Sequence, residues 1–323
     1  MKSKLVKISA VVITIVLAAV LLSQIEVNAV ITTLASVDPL QVIAGFVLYT
    51  CSYFLRAFRF HILLNKKVTI RDLFNIVCVH NMLNNILPAR TGELSYIYLL
   101  KKLHNKKTGE GIATLFVARV FDFITISLLF IGSAFVIQDL PEIIMKLVWV
   151  ITLFLGTITI FLIALLYSGK SFFKSVKRFC ERFHWDKRYF VDYLLRKGEE
   201  TAECSEKIKT SGKVIGIALI LNSFGIWLSL YSFNYILVGA MNINLSYCSI
   251  VFASTFALFT TFLPIQGIGG FGTLESGWTV GFIAVGLTKE VAISSGFGYH
   301  IILLVYFLIL GCYGTVMIKF KKL

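Results

Sequence analysis

Apolar residues run through this chain in long stretches. They show neither the two-residue alternation of half-buried strands nor the one-sided stripe of a surface helix. Six stretches, residues 5–25, 40–60, 112–137, 143–167, 214–241 and 292–318, reach the length of about 20 residues that carries a helix across a ~30 Å hydrocarbon core. Two more, residues 73–100 and 247–287, are apolar but interrupted. The first breaks at Leu87-Pro88-Ala89-Arg90-Thr91-Gly92-Glu93. The second breaks at Leu263-Pro264-Ile265-Gln266-Gly267-Ile268-Gly269-Gly270-Phe271-Gly272-Thr273-Leu274-Glu275. Proline removes a backbone donor and clashes with the preceding turn, so each Leu-Pro ends a helix, and the glycines that follow accept sharp turns. Each stretch therefore predicts a helical hairpin, with two full spans as the alternative for residues 247–287. Non-helical backbone at membrane depth is tolerated only where protein or a water-filled cavity surrounds it.

Composition agrees with lipid as the solvent. Apolar residues make up 57% of the 323, well beyond a soluble globular domain. The first stretch follows Lys2, Lys4 and Lys7, is long, and lacks a small-x-small cleavage site. It is read as a retained spanning helix, not a signal peptide.

The formal charge of +14 would point to nucleic acid in a soluble protein, but here its distribution decides. Basic residues gather in residues 2–7, 56–71, 101–107, 170–213 and 319–322, whereas residues 26–38, 138–142 and 241–244 are acidic or neutral. Alternation of this kind is the positive-inside pattern, and it places both termini in the cytoplasm of a multi-pass plasma-membrane protein. Nucleic acid is excluded as a partner.

On that orientation the first hairpin enters and leaves from the cytoplasm and the second from outside. The fold expected is an all-α polytopic membrane protein of about six full spans plus two opposed re-entrant hairpins in an inverted-topology repeat. It forms a single membrane domain: half one at residues 1–167, a cytoplasmic loop at 168–213, half two at 214–323. Within the loop, Phe172, Val176, Phe179 and Phe183 form one helical stripe among basic residues. That stripe fits an interfacial helix on anionic lipid or a plain linker obeying the charge rule.

Charges at membrane depth are costly, roughly 2.5–3.5 kcal/mol on insertion scales, and usually face a partner or a cavity. Arg119 and Asp122 lie three residues apart on one helix face, as structural glue or as substrate contacts. Arg90 and Glu93 stand one turn apart at the first break, with the same two readings. Glu275 follows the glycine run with no nearby partner in sequence. Gly267, Gly269 and Gly272 spell GxGxxG, but without a strand before it or a βαβ unit around it this is no dinucleotide site. The glycines form either a bare tight turn or a place where backbone amides approach an anion at the N-terminus of the next half-helix. His80, Asn81, Asn84 and Asn85 are read as interhelical bonding or as cavity lining. His61 and His104 fall in basic stretches with no specific role. The six cysteines form no CxxC or Cys/His cluster, so free thiols and no metal are expected.

Together these motifs resemble a known family. Pro88-Ala89-Arg90-Thr91-Gly92-Glu93, Tyr98-Leu99-Leu100-Lys101 and Ala118-Arg119-Val120-Phe121-Asp122 are similar to the P-x-R-x-G-E and R-x-x-D signatures of the lysylphosphatidylglycerol synthase transmembrane region. The stretch from Pro264 through Gly269 to Glu275 resembles its glycine-rich signature. The resemblance implies the flippase part of such proteins, which moves lysyl-phosphatidylglycerol between leaflets. In full-length members a soluble aminoacyltransferase domain makes that lipid, and this chain is expected to be a stand-alone member without it. The expectation is a lipid flippase with membrane phospholipids as partners, no catalytic residues and no cofactor. Arg90 and Arg119 would attract phosphate, Gly269, Gly270 and Gly272 would present backbone amides, and Glu93, Asp122 and Glu275 would attract a cationic headgroup. Asn81, Asn84 and Asn85 are secondary candidates for the cavity. The alternative is an accessory subunit or enzyme of lipid aminoacylation or polyprenyl-linked glycan synthesis, beside a separate aminoacyltransferase or glycosyltransferase. A homo-oligomer stays open.

Overall fold

The computed structural model describes residues 20–21, 23, 27–87, 91–137, 142–183, 189–209, 212–262 and 268–321. Every element among them is helical. In chain order they are α1 (Val27–Ala35), α2 (Pro39–Leu63), α3 (Ile70–Ile86), α4 (Glu93–His104), α5 (Thr108–Val136), α6 (Glu142–Arg182), α7 (Tyr189–Lys209), α8 (Lys213–Ala240), α9 (Tyr247–Phe262), α10 (Thr273–Ala284) and α11 (Lys289–Phe320). Five helices are long and apolar enough to cross a membrane: α2, α5, α8, α11 and residues 142–172 of α6. The expected first span at residues 5–25 lies almost wholly outside the described residues.

Local sequence sets the helix starts. Asp38 caps α2 by accepting from the Leu40 amide at 2.9 Å, with Pro39 in the first turn, where its missing N–H costs nothing. Thr69 caps α3 and Thr288 caps α11 in the same way. Both interrupted stretches break where Leu-Pro and glycine predicted, giving α3 with α4 and α9 with α10.

An order of long, medium, short and long helix occurs twice. Helices α2 to α5 have 25, 17, 12 and 29 residues, and α8 to α11 have 28, 16, 12 and 32. The packing is reciprocal. Helix α2 lies against α8, α3 against α11, and α9 against α5, so each hairpin rests on the last long helix of the other half. Close approach within the second hairpin depends on Gly277 and Gly281, one turn apart on α10. A Cβ at Gly277 would stand 2.7 Å from the Phe256 carbonyl oxygen, and one at Gly281 would run into the Ala253 carbonyl.

The bundle has two unlike ends. At one, Asp72 meets Lys321 at 2.5 Å and His104 at 3.8 Å, and Glu200 of α7 accepts from the Gly109 amide. At the other, the Asp38 amide donates to Ala240 O and Asn242 Nδ2 reaches Ser36 O. Among the described residues the first end gathers the basic clusters near residues 66–71, 101–107 and 319–321, and the second the segments poor in basic residues near 36–38 and 241–244.

Two expectations change. Helix α6 does not stop near residue 167 but continues to Arg182, because no proline interrupts it and the single Gly169 does not end a helix. Helix α7 then packs on α5 and α6 through pairs such as Lys177–Glu199 at 3.3 Å, while Phe172, Phe179 and Phe183 stay exposed. The basic run at residues 56–71 also divides. Arg59 is 1% exposed, inside the protein, and does not belong to the membrane surface.

Candidate functional site

A polar cavity of about 180 Å³ lies where the two helix breaks approach each other. Asn81, Asn84 and Asn85 enter it from the last turns of α3, and Gly269 and Gly270 from the 3-10 turn Ile268–Gly270 that precedes α10. Helix α2 supplies Tyr49, Ser52, Tyr53 and Arg56, one face at i, i+3, i+4 and i+7. Helix α8 supplies Trp227, Tyr231 and Asn234 at the same spacing, α5 supplies Arg119, and α11 supplies Tyr299 and His300. The Tyr49 and Tyr53 hydroxyls are 2.9 Å apart, and Tyr299 donates to Asn234 Oδ1 at 3.0 Å.

Beside the cavity runs a buried chain of charge. Arg59 grips Asp122 with two guanidinium nitrogens, at 2.7 and 3.2 Å, and also donates to Ser223. Trp227 Nε1 donates to the same carboxylate at 2.9 Å. Arg119 bonds Glu93 at 2.7 Å and lies 3.5 Å from Asp122. A bidentate guanidinium–carboxylate pair is the strong form of the charge-assisted hydrogen bond, and burial demands it, since an unpaired buried charge is far more costly. Arg56, one turn before Arg59, makes no ion pair among the described residues, and its buried Nε has no hydrogen-bond partner.

Behind the glycine turn sits a second pair. Glu275 is 0% exposed. One of its oxygens accepts from the Gly272 amide at 2.8 Å, and the other meets His300 Nδ1 at 2.7 Å. His300 Nε2 lies 2.9 Å from the Gly269 carbonyl. A carbonyl has no proton to give, so Nε2 carries the hydrogen of that contact and one further proton lies between Nδ1 and the carboxylate. The pair ties α11 to both ends of the turn. Gly269, Gly270 and Gly272 have φ of 67°, 77° and 81°, the left-handed region that favours glycine.

Of the residues singled out in sequence, Asn81, Asn84, Asn85, Arg119, Gly269 and Gly270 line the cavity. Arg90 lies outside the described residues. Glu93, Asp122 and Glu275, expected to face a cationic headgroup, are each engaged by a protein side chain instead. Arg119 and Asp122 are not mainly partners of each other, because Glu93 and Arg59 bind them more closely. The Gly272 amide is occupied by Glu275 and is not free for an anion. His80 faces the Gly92 carbonyl at 3.3 Å, the interhelical role, not the lining one. Arg56, Arg59, His300 and the aromatic residues were missed. The signal for the arginines was their position three residues apart inside a spanning segment, and for His300 its place as an ionisable residue in the last apolar stretch. Among the described residues no group of three His, Cys, Asp or Glu is placed to hold a metal ion.

This chain belongs to the family described as lysylphosphatidylglycerol synthase TM region, whose model matches residues 7–311. It is 35% identical over 98 residues to the UPF0104 membrane protein MJ1078 of Methanocaldococcus jannaschii, covering 29% of this chain and 42% of that protein. It is 30% identical over 124 residues to the glycosyltransferase AglD of Haloferax volcanii, covering 37% of this chain and 20% of that protein. The matches thus span less than half of either relative. No solved structure matches.

Proposed function

From membership of this family of membrane proteins we propose that the chain is a lipid flippase, moving a phospholipid headgroup between leaflets through the cavity described above. The observation that carries the reading is that the cavity is lined from both helix breaks at once. In membrane transporters, discontinuous helices in corresponding positions of two halves mark the substrate site near the bilayer midplane. The arm lengths support the same reading. At 1.5 Å per residue the arms of about 24–26 Å and about 18 Å fall short of a ~30 Å core, as re-entrant hairpins would. The repeated helix order supports an inverted pair of halves, with residues 5–25 as a sixth span and both termini in the cytoplasm of a plasma-membrane protein. In this reading aminoacylation of the lipid belongs to a separate enzyme; among the described residues the cavity lining shows no nucleophile and base in contact.

The test is purified protein in vesicles carrying headgroup-labelled phosphatidylglycerol in both leaflets. Reduction of the outer-leaflet label by an impermeant reagent should go beyond the half seen in protein-free vesicles. A plateau at one half, with the protein shown to be inserted, defeats the reading. A second reading is a role on lipid-linked sugars, the alternative implied by the family resemblance; the Haloferax relative, matched over 20% of its length, is named a glycosyltransferase. Polyprenyl-phosphate sugar moving where phosphatidylglycerol does not would support it.

A further inference from the structure

Resting on the flippase reading, we infer that the cavity selects an anionic lipid phosphate with an uncharged, hydroxyl-bearing headgroup and rejects headgroups carrying an ammonium. The grounds are where the carboxylates point. Asp122 is gripped by Arg59 and Trp227, Glu93 is bonded by Arg119, and Glu275 is enclosed between His300 and the Gly272 amide. None of the three lines the cavity, whose charged lining among the described residues is Arg56 and Arg119. Among the described residues the adjoining chain sets the three guanidiniums of Arg56, Arg59 and Arg119 against the two carboxylates of Asp122 and Glu93, which leaves one positive charge in excess. That excess sits at Arg56, the arginine without an ion pair. An ammonium entering here meets a like charge and no free acid, whereas a phosphate meets a donor fork suited to its oxygens.

Unsatisfied atoms sharpen the class. Arg56 Nε and Asn81 Nδ2 are buried donors without a partner, and Asn84 Oδ1 is a buried acceptor without one. All three residues line the cavity, and the unpartnered atoms lie just under its wall, where a turn of each side chain would bring them to a ligand. A buried polar atom left unpaired is costly, so such a set calls for a ligand with complementary groups. Phosphate oxygens answer the two donors. The acceptor needs a donor from the ligand, which a glycerol or sugar hydroxyl supplies and a bare phosphate monoester does not supply once ionised. Aromatic residues do not reverse this preference in favour of a cation. Trp278 is stacked on both faces, with Phe282 and Tyr299 each at 4.2 Å between ring centres. Tyr49 packs against Tyr53, Phe233 and Tyr306. Both faces of Trp278 are thus taken up by other rings and closed to a cation.

The experiment uses the full chain in detergent, with binding read from tryptophan fluorescence, since Trp227 and Trp278 line the cavity. The probes are short-chain phosphatidylglycerol, lysyl-phosphatidylglycerol, phosphatidic acid and phosphatidylcholine, with soluble glycerol 3-phosphate as a lipid-free control. Phosphatidylglycerol should bind at least tenfold tighter than the lysylated lipid and phosphatidylcholine, and tighter than glycerol 3-phosphate. Arg56→Gln should flatten the preference for anionic lipid, and Asn84→Leu should remove the preference for phosphatidylglycerol over phosphatidic acid. Either variant suffices if the other fails to fold. Lysyl-phosphatidylglycerol binding as tightly as phosphatidylglycerol, or unchanged selectivity in a folded variant, overturns the inference. Glycerol 3-phosphate binding as tightly as the lipid overturns its lipid part. Vesicle transport separates this from the flippase reading. Selective binding with no movement of any lipid refutes transport alone, and movement that favours the lysylated lipid refutes the selectivity alone.

Discussion

At the residue scale, Glu275 illustrates how one buried acid is kept by two different partners. One oxygen serves the Gly272 amide and the other shares a proton with His300. A glutamine fits both contacts: its carbonyl accepts from Gly272, and its amide donates to Nδ1 while Nε2–H stays on Gly269. Glu275→Gln should therefore fold like the wild type, and any effect on transport should be the same for every headgroup. Glu275→Leu leaves the Gly272 amide and Nδ1 unpaired, at about 1–3 kcal/mol for each buried group, and should melt at clearly lower temperature. Melting curves of both variants check this; a glutamine variant as unstable as the leucine one refutes the hydrogen-bond account. Sequence revealed that Glu275 was a costly acid at a helix break. It did not reveal His300, because a partner 25 residues away on another helix leaves no local spacing to read. Arg59 was hidden for a related reason. It sits at the head of a basic run, and the charge pattern that orients helices also describes an arginine that bonds a buried aspartate.

At the scale of elements, the two hairpins were legible because Leu-Pro and glycine act locally, on the backbone of the residues that carry them. How closely the arms approach was not in those signals. It rests on Gly277 and Gly281, whose four-residue spacing in an apolar helix is a mark of close helix contact. A methyl group at residue 281 would collide with the Ala253 carbonyl, a backbone atom that moves only with its whole helix. Gly281→Ala should cost about 1–3 kcal/mol by overpacking. Gly132→Ala, on α5 with nothing within 4 Å of the added atom, should stay within about 1 kcal/mol of the wild type. Thermal melting of the two purified variants compares them directly, and equal shifts would remove the tight α9–α10 contact as a determinant of stability. The long α6 was not foreseen because apolarity ends near Tyr167 while helix-forming residues do not. Hydropathy reports the solvent of a segment, not the point where its backbone stops turning.

For the whole molecule, the distribution of basic residues becomes an arrangement in space. Segments far apart in sequence, around Asp72, His104 and Lys321, meet at one end of the bundle, and Ser36, Ala240 and Asn242 meet at the other. Lys and Arg are retained on the cytoplasmic side, so the first end should face the cytoplasm and each hairpin should open toward a different side. In a variant with its six cysteines replaced, Lys67→Cys and Lys107→Cys should react only after the membrane is permeabilised, and Asn244→Cys and Lys289→Cys in intact cells. All four positions are exposed, so labelling reports sidedness and not burial. Full spans in place of re-entrant arms would leave these four results unchanged and alter only the tips. A cysteine at Asn85 or Leu274, both in the cavity lining, should then react as fast as a loop, whereas a re-entrant tip should react slowly with a bulky impermeant maleimide from either side. Asn244→Cys reacting only in permeabilised cells would reverse the second half and with it the inverted pairing.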